Sequence, residues 1–133
     1  MSILVPNVGE VLALGLICNK TAQGDLKLKL YKSNTTPAEA DTVSTYTEST
    51  ATGYAAKTLT GASWTITTDG GGVTTASYAA QTFTYSAAES VYGYYVTNNA
   101  GTTLLFAEKF SDGPYNIPAG GGSVTVTIQW TAE

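Results

Sequence analysis

The sequence predicts an all-β fold: an antiparallel β-sandwich, jelly-roll-like in closure, with one short N-terminal helix. Three observations carry this. Apolar and polar residues alternate in short runs, as in Leu26-Lys27-Leu28-Lys29-Leu30 and Ser123-Val124-Thr125-Val126-Thr127-Ile128. Turn signals such as Asp69-Gly70-Gly71-Gly72 and Asn98-Asn99-Ala100-Gly101 separate the runs. Helical patterns do not alternate with the strands, so a parallel βαβ architecture is excluded. The 133 residues suit one domain, 1–133, with an N-terminal arm over 1–7.

Pro6 keeps the apolar arm from running straight into a regular element. Asn7 is placed to cap a helix over about 8–18, and Glu10 completes a capping-box-like pair. Val8, Val11, Leu12, Leu14 and Ile17 give that helix a broad apolar face. Gly9 and Gly15 weaken it, and a buried strand competes for the segment. The single Cys18, in an apolar stretch without a basic neighbour, reads as a buried, inert thiol. Residues 19–25 are a loop.

Residues 26–32 alternate without a break, so Leu26, Leu28 and Leu30 face the core while Lys27, Lys29 and Lys32 point outward. The stripe holds half of the six positive charges. It reads as a solvated face or a protected edge strand, and alternatively as a contact for an acidic partner. Residues 33–52, with Tyr46 and Glu48, have no clear period. A connection of about 20 residues exceeds ordinary loops and is expected to be functional or ordered by a neighbour.

Strands are expected at 53–59 and 62–68, then at 74–78 and 81–86 beyond the glycine turn. Residues 91–97 form a Tyr-rich strand, with Tyr92 and Tyr94 on one face and Tyr95 on the other. A hairpin turn at 98–101 leads into a return strand at 103–110. There Leu104, Phe106, Glu108 and Phe110 share one face, and Leu105, Ala107 and Lys109 the other. The last strand, 123–130, turns Val124, Val126, Ile128 and Trp130 inward. The total is about eight strands.

Composition removes many chemistries. With no His, the chain cannot build a Ser-His-Asp triad, a Cys-His dyad or a His-containing zinc site. One Cys allows no internal disulfide and no thiolate cluster. All six positive charges are Lys, so bidentate guanidinium clamps are missing, and the net charge of -4 disfavours nucleic acid. The apolar run 11–18 is too short to span a membrane and lacks the flanks of a signal peptide. The chain therefore reads as soluble and made in the cytoplasm. Charged residues are only 12%, while Thr and Ser make up 33 of the 133 positions, which suggests a neutral surface suited to burial against partner subunits.

Glu108, between Phe106 and Phe110 on its strand face, is the best single carboxylate for glycosidase chemistry. An exposed or Lys-paired glutamate is the plainer reading, and no catalytic residue is assigned. Asp69-Gly70 and Asp112-Gly113 read as turns rather than calcium ligands, because the spacing of a calcium loop is absent. The two triple-glycine runs lack the following Lys-Ser/Thr of a phosphate loop. No metal or cofactor is expected. Tyr92, Tyr94 and Tyr95 suit a core or subunit interface, with sugar stacking as the alternative.

Val91-Tyr92-Gly93-Tyr94-Tyr95-Val96-Thr97, followed by Leu104-Leu105-Phe106-Ala107-Glu108-Lys109-Phe110, resembles a group of small virion structural proteins of tailed bacteriophages. The likeness extends to Pro6-Asn7-Val8-Gly9-Glu10, to 26–31 with Asn34 and Pro37, to Gly53-Tyr54-Ala55 and to 59–64. It is a general likeness rather than a catalytic signature. It implies a non-enzymatic virion subunit, a capsid decoration (cement) protein, with a head-fibre or tail component that binds a receptor or carbohydrate as the alternative. The implied partners are the major capsid protein and copies of the chain itself, with a homotrimer suiting a site of threefold symmetry. Lys27, Lys29, Lys32, Tyr46, Tyr92, Tyr94 and Tyr95 are the expected partner contacts.

Overall fold

The computed structural model describes residues 3–22 and 24–132. Met1 and Ser2 of the expected arm, Gln23 of the expected loop and Glu133 lie outside the described residues. The fold is all-β and antiparallel with one N-terminal helix, as the alternation predicts. The helix, α1, spans Asn7–Ile17. Among the described residues eleven strands follow: β1 Leu26–Tyr31, β2 Lys57–Leu59, β3 Thr65–Thr68, β4 Thr74–Ser77, β5 Gln81–Tyr85, β6 Glu89–Val91, β7 Gly93–Asn98, β8 Leu104–Lys109, β9 Tyr115–Ile117, β10 Gly122–Val126 and β11 Gln129–Ala132.

They form four antiparallel sheets: β2-β1-β7-β8, β10-β5, β11-β4-β3 and β6-β9. The strand count exceeds the expected eight because two predicted strands break and β9 forms where no strand is expected. Glu89–Val91 separates from β7 and pairs with β9. The predicted 123–130 strand divides at Thr127-Ile128, so β10 pairs with β5 and β11 with β4. Its alternation persists across the break: Val124, Val126 and Ile128 are all buried. The 53–59 expectation shrinks to β2, because Gly53 sits at φ +94 in a turn against β5.

One apolar core lies between the four-stranded sheet and the β10-β5 ladder. Leu28 and Leu30 of β1, Tyr94 and Val96 of β7 and Phe106 of β8 meet Phe83 and Tyr85 of β5 and Val124 and Val126 of β10. Strand β1 is an internal strand between β2 and β7, not the predicted edge. The β7–β8 ladder carries a bulge: Val96 pairs with Phe106 and Thr97 with Leu104, leaving Leu105 extra. The bulge shifts the phase of the strand. Leu104 therefore packs with Ala107 on the second face, while Leu105 joins Phe106 in the core, contrary to the strict alternation expected of 103–110.

The arm crosses the outer edge of this sheet, where Leu4 exchanges both backbone hydrogen bonds with Ala107 at 2.9 and 3.0 Å. It ends at Pro6, which takes the helix cap position. No side chain caps α1, and the Asn7 N–H donates instead to the Glu39 carbonyl at 3.0 Å. The capping box expected of Asn7 and Glu10 is therefore not made. Helix α1 lies against β8 at Gly9, where any Cβ would overlap the Leu105 carbonyl oxygen. Asn19, at φ 55, ends it.

Candidate functional site

The second face of the four-stranded sheet is where the sequence-predicted contact residues gather, and it is covered. The 33–52 connection lies across it. Its backbone bonds to β1 through Lys32 N–H to Thr47 O and Ser49 N–H to Leu30 O, each 2.9 Å. Its Tyr46 ring stacks on Tyr95 at 5.3 Å and tilts against Tyr31 at 4.9 Å. The neighbour that orders this long connection is the chain's own sheet. Tyr46 and Tyr95 are consequently buried, and Tyr94 is buried on the opposite face, so none of the three is available to a partner in this conformation. Tyr92 is half-buried and packs with Tyr95 rather than with Tyr94, because the chain switches from β6 to β7 at this residue and the expected alternation breaks there.

The Lys stripe is also engaged at home. Lys27 Nζ donates to Thr58 Oγ1 at 2.6 Å, and Lys29 pairs with Glu48 at 2.9 Å. Lys32 meets Glu89 at 3.4 Å and also bonds Thr50. The acidic partner that the stripe invited is supplied by the connection and by β6.

Glu89, rather than Glu108, is the best-held carboxylate of the described residues, and no pattern around it in the sequence sets it apart. It accepts from the Ser49 hydroxyl and from the Thr50 and Ala51 N–H groups at 3.1 and 3.4 Å. Ser49 also bonds the Tyr85 phenol at 2.8 Å. Burial alone would raise the Glu89 carboxyl, but these hydrogen bonds and Lys32 outweigh it and hold it below the usual range.

Burial dominates the phenols. It pushes Tyr31, Tyr46, Tyr54, Tyr94 and Tyr95 well above the ordinary tyrosine range, and Asp41, Glu48 and Glu108 add to the rise at Tyr46, Tyr54 and Tyr94 respectively. Each favours its neutral form in the fold. Their contribution to stability is complete below about pH 10, the unfolded value, and lost as pH rises beyond it. In a titration followed by phenolate absorbance, these five should stay protonated past pH 10 and ionise together on alkaline unfolding. Ionisation of all nine tyrosines near pH 10 without unfolding would contradict the packing.

An open cleft of about 440 Å³ lies between the arm and β11. Ile3, Val5, Tyr94, Glu108, Gln129 and Trp130 help line it. Glu108 Oε2 accepts from the Tyr94 phenol at 2.6 Å, which occupies the carboxylate expected to be the best acid candidate. Trp130 rests against Phe106 at 5.9 Å. Trp64 lies elsewhere, edge-on to Tyr78 at 5.1 Å. The three clustered tyrosines thus divide: Tyr94 shares the cleft with Trp130, while Tyr92 and Tyr95 face the covered side.

Helix α1 departs furthest from expectation. Its inner side is Gly9, Leu12, Ala13 and Leu16, and Val11, Leu14 and Ile17 are exposed. Cys18, half a helical turn around from Gly9, is exposed rather than buried. Among the described residues no group of three or more His, Cys, Asp or Glu could hold a metal ion, and no helix is long and apolar enough to cross a membrane. Comparison with family models, with curated proteins and with solved structures gives no match.

Proposed function

We propose that this chain is a capsid decoration protein of a tailed bacteriophage, a non-enzymatic subunit that stabilises the head through contacts with the major capsid protein and with copies of itself. The observation that carries the reading is the uncovered apolar face of α1, Val11, Leu14 and Ile17, on a chain where Lys29 and Lys32 already pair with its own Glu48 and Glu89. An apolar patch of that kind marks a surface for association. The resemblance of 91–110 to phage virion proteins supplies the particle. Jelly-roll closure belongs to the same proposal, supported by the sequence-distant pairs β1–β7 and β5–β10. On this reading each copy adds binding free energy across a junction of the shell. Particles lacking the protein should lose resistance to heat and osmotic shock, and imaging should count hundreds of copies on the head. Equal resistance without it would overturn the role.

A second reading has the Trp130 cleft in its favour. An aromatic face beside Glu108 and Gln129 is suited to stacking and hydrogen-bonding a sugar. A handful of copies at a fibre or tail, with signal on a glycan array that Trp130→Ala removes, would favour it over decoration.

A further inference from the structure

We propose that α1 is the surface on which two copies of this chain pair, helix against helix and antiparallel about a two-fold axis. The inference rests on the reading of the chain as a self-associating subunit, and it names where the copies meet.

Surface helices carry charge on their outer side. Here residues 11–19 contain no charge at all, and Val11, Leu14 and Ile17 are 73%, 62% and 80% exposed. Val11, Leu14 and Cys18 follow the three-then-four spacing of a helix-pairing seam. Beside the seam runs a groove lined by Val5, Glu10, Ala13, Leu14 and Trp130, with Trp130 still 37% exposed. Ridge and groove lie on one face, so the surface is complementary to a rotated copy of itself, as a two-fold contact requires.

Charge sets the direction. The seam is bounded by Glu10 at one end and Lys20 at the other, both exposed. Antiparallel pairing brings each Glu10 within a turn of Lys20 of the second copy. Parallel packing would gather like charges at each end. Area sets the strength. The three aliphatic side chains and the exposed part of Trp130 amount to roughly 300 Å² of apolar surface per copy. With the usual polar share of an interface, the pair would bury about 1,000 Å² in total, the lower bound for a specific contact. The dimer is therefore reversible, with a dissociation constant on the order of micromolar.

Sedimentation across a concentration series tests this. The natural chain should shift from monomer to dimer, and Leu14→Lys should weaken association at least tenfold while keeping its circular dichroism and melting temperature. Glu10→Lys should weaken it about two- to fivefold at low salt, and adding Lys20→Glu should restore it. Cross-linking reads the geometry. In an antiparallel pair centred between Leu14 and Gly15, residue 11 faces residue 18 of the other copy. The two Cys18 lie about 10 Å apart along the axis, too far for a disulfide. Val11→Cys should therefore oxidise to a covalent dimer through native Cys18, and the natural chain should not. A monomer at all concentrations, a Leu14→Lys chain that still dimerises, or a trimer joined through Cys18 would each overturn the proposal. Head binding is scored separately. A monomer that still coats phage heads would leave the decoration reading standing, and a dimer that binds no head would overturn only that reading.

Discussion

Replacing Gly93 by Ala should destabilise the fold by about 3 kcal/mol or more, lowering the melting temperature by roughly 10 °C. Gly93 is the first residue of β7 and pairs with Tyr31 on one side and Lys109 on the other. The Tyr31 phenol closes over it and donates to the carbonyls of Thr35 and Glu108 at 3.2 and 3.4 Å. A Cβ there would overlap the Glu108 carbonyl oxygen and come within 2.6 Å of Tyr31 Cζ. The carbonyl belongs to the β8 ladder, so the β7–β8 pairing would have to open there, and Tyr31 would have to leave. Its departure would open the contacts with Tyr46 and Tyr95 that hold the connection down. Thermal melts of Gly93→Ala, with Gly70→Ala as a control at a glycine whose Cβ would meet open space, check the point. Equal melting of the two variants would contradict the packing.

Glu89→Ala should cost about 3 kcal/mol, because it strips partners from buried Ser49 and from two backbone N–H groups at once. The effect carries a pH signature. The folded carboxyl sits below its unfolded value, so the ionised form favours folding. That stabilisation is complete above the unfolded carboxyl range near 4.3 and fades as pH falls through the lower folded value. Denaturant unfolding of the natural chain should therefore weaken from about pH 5 downward, and Glu89→Gln should flatten that dependence while lowering stability at pH 7. An unchanged acid limb in Glu89→Gln would assign the titration to another group.

Much of the architecture was legible because it follows from local rules. Unbroken alternation in Leu26–Tyr31 places Leu28 and Leu30 in the core, and the same rule places Val124 and Val126 there. The apolar run before Cys18 marks the helix, although propensity cannot tell which side of it will be covered. That is decided by Gly9, where the helix backbone lies so close to β8 that no side chain fits. The misplaced side chains have equally particular causes. Leu104 changes face because of a single extra residue in β8, and nothing in the sequence of 103–110 announces a bulge. Tyr46 looked like a surface residue of a polar segment, and its burial depends on Tyr31 and Tyr95, respectively 15 and 49 positions away. Glu89 shows no pattern at all, because its partners come from 32 and 49–51. Partner contacts were expected where charge and tyrosine concentrate, but the long connection claims both, and the exposed apolar surface lies on α1 instead.

The docked connection also bears on how this protein could carry foreign sequence. Length alone would recommend 33–52 as the site for a displayed peptide. Yet those residues hold Tyr46, Glu48 and Ser49, so an insertion there would break the tyrosine stack, the Lys29–Glu48 ion pair and the Ser49 hydrogen bond to Glu89. The 69–72 turn offers the opposite balance. It joins β3 to β4, is exposed throughout, and is held by bonds within itself: the Asp69 carboxylate accepts from Gly71 and Val73 at 2.8 and 3.1 Å, and the Asp69 and Gly72 N–H groups donate to the Val73 and Asp69 carbonyls. The longest loop is thus the least forgiving place to open the chain, and a four-residue turn at the tip of an exposed hairpin is the most forgiving.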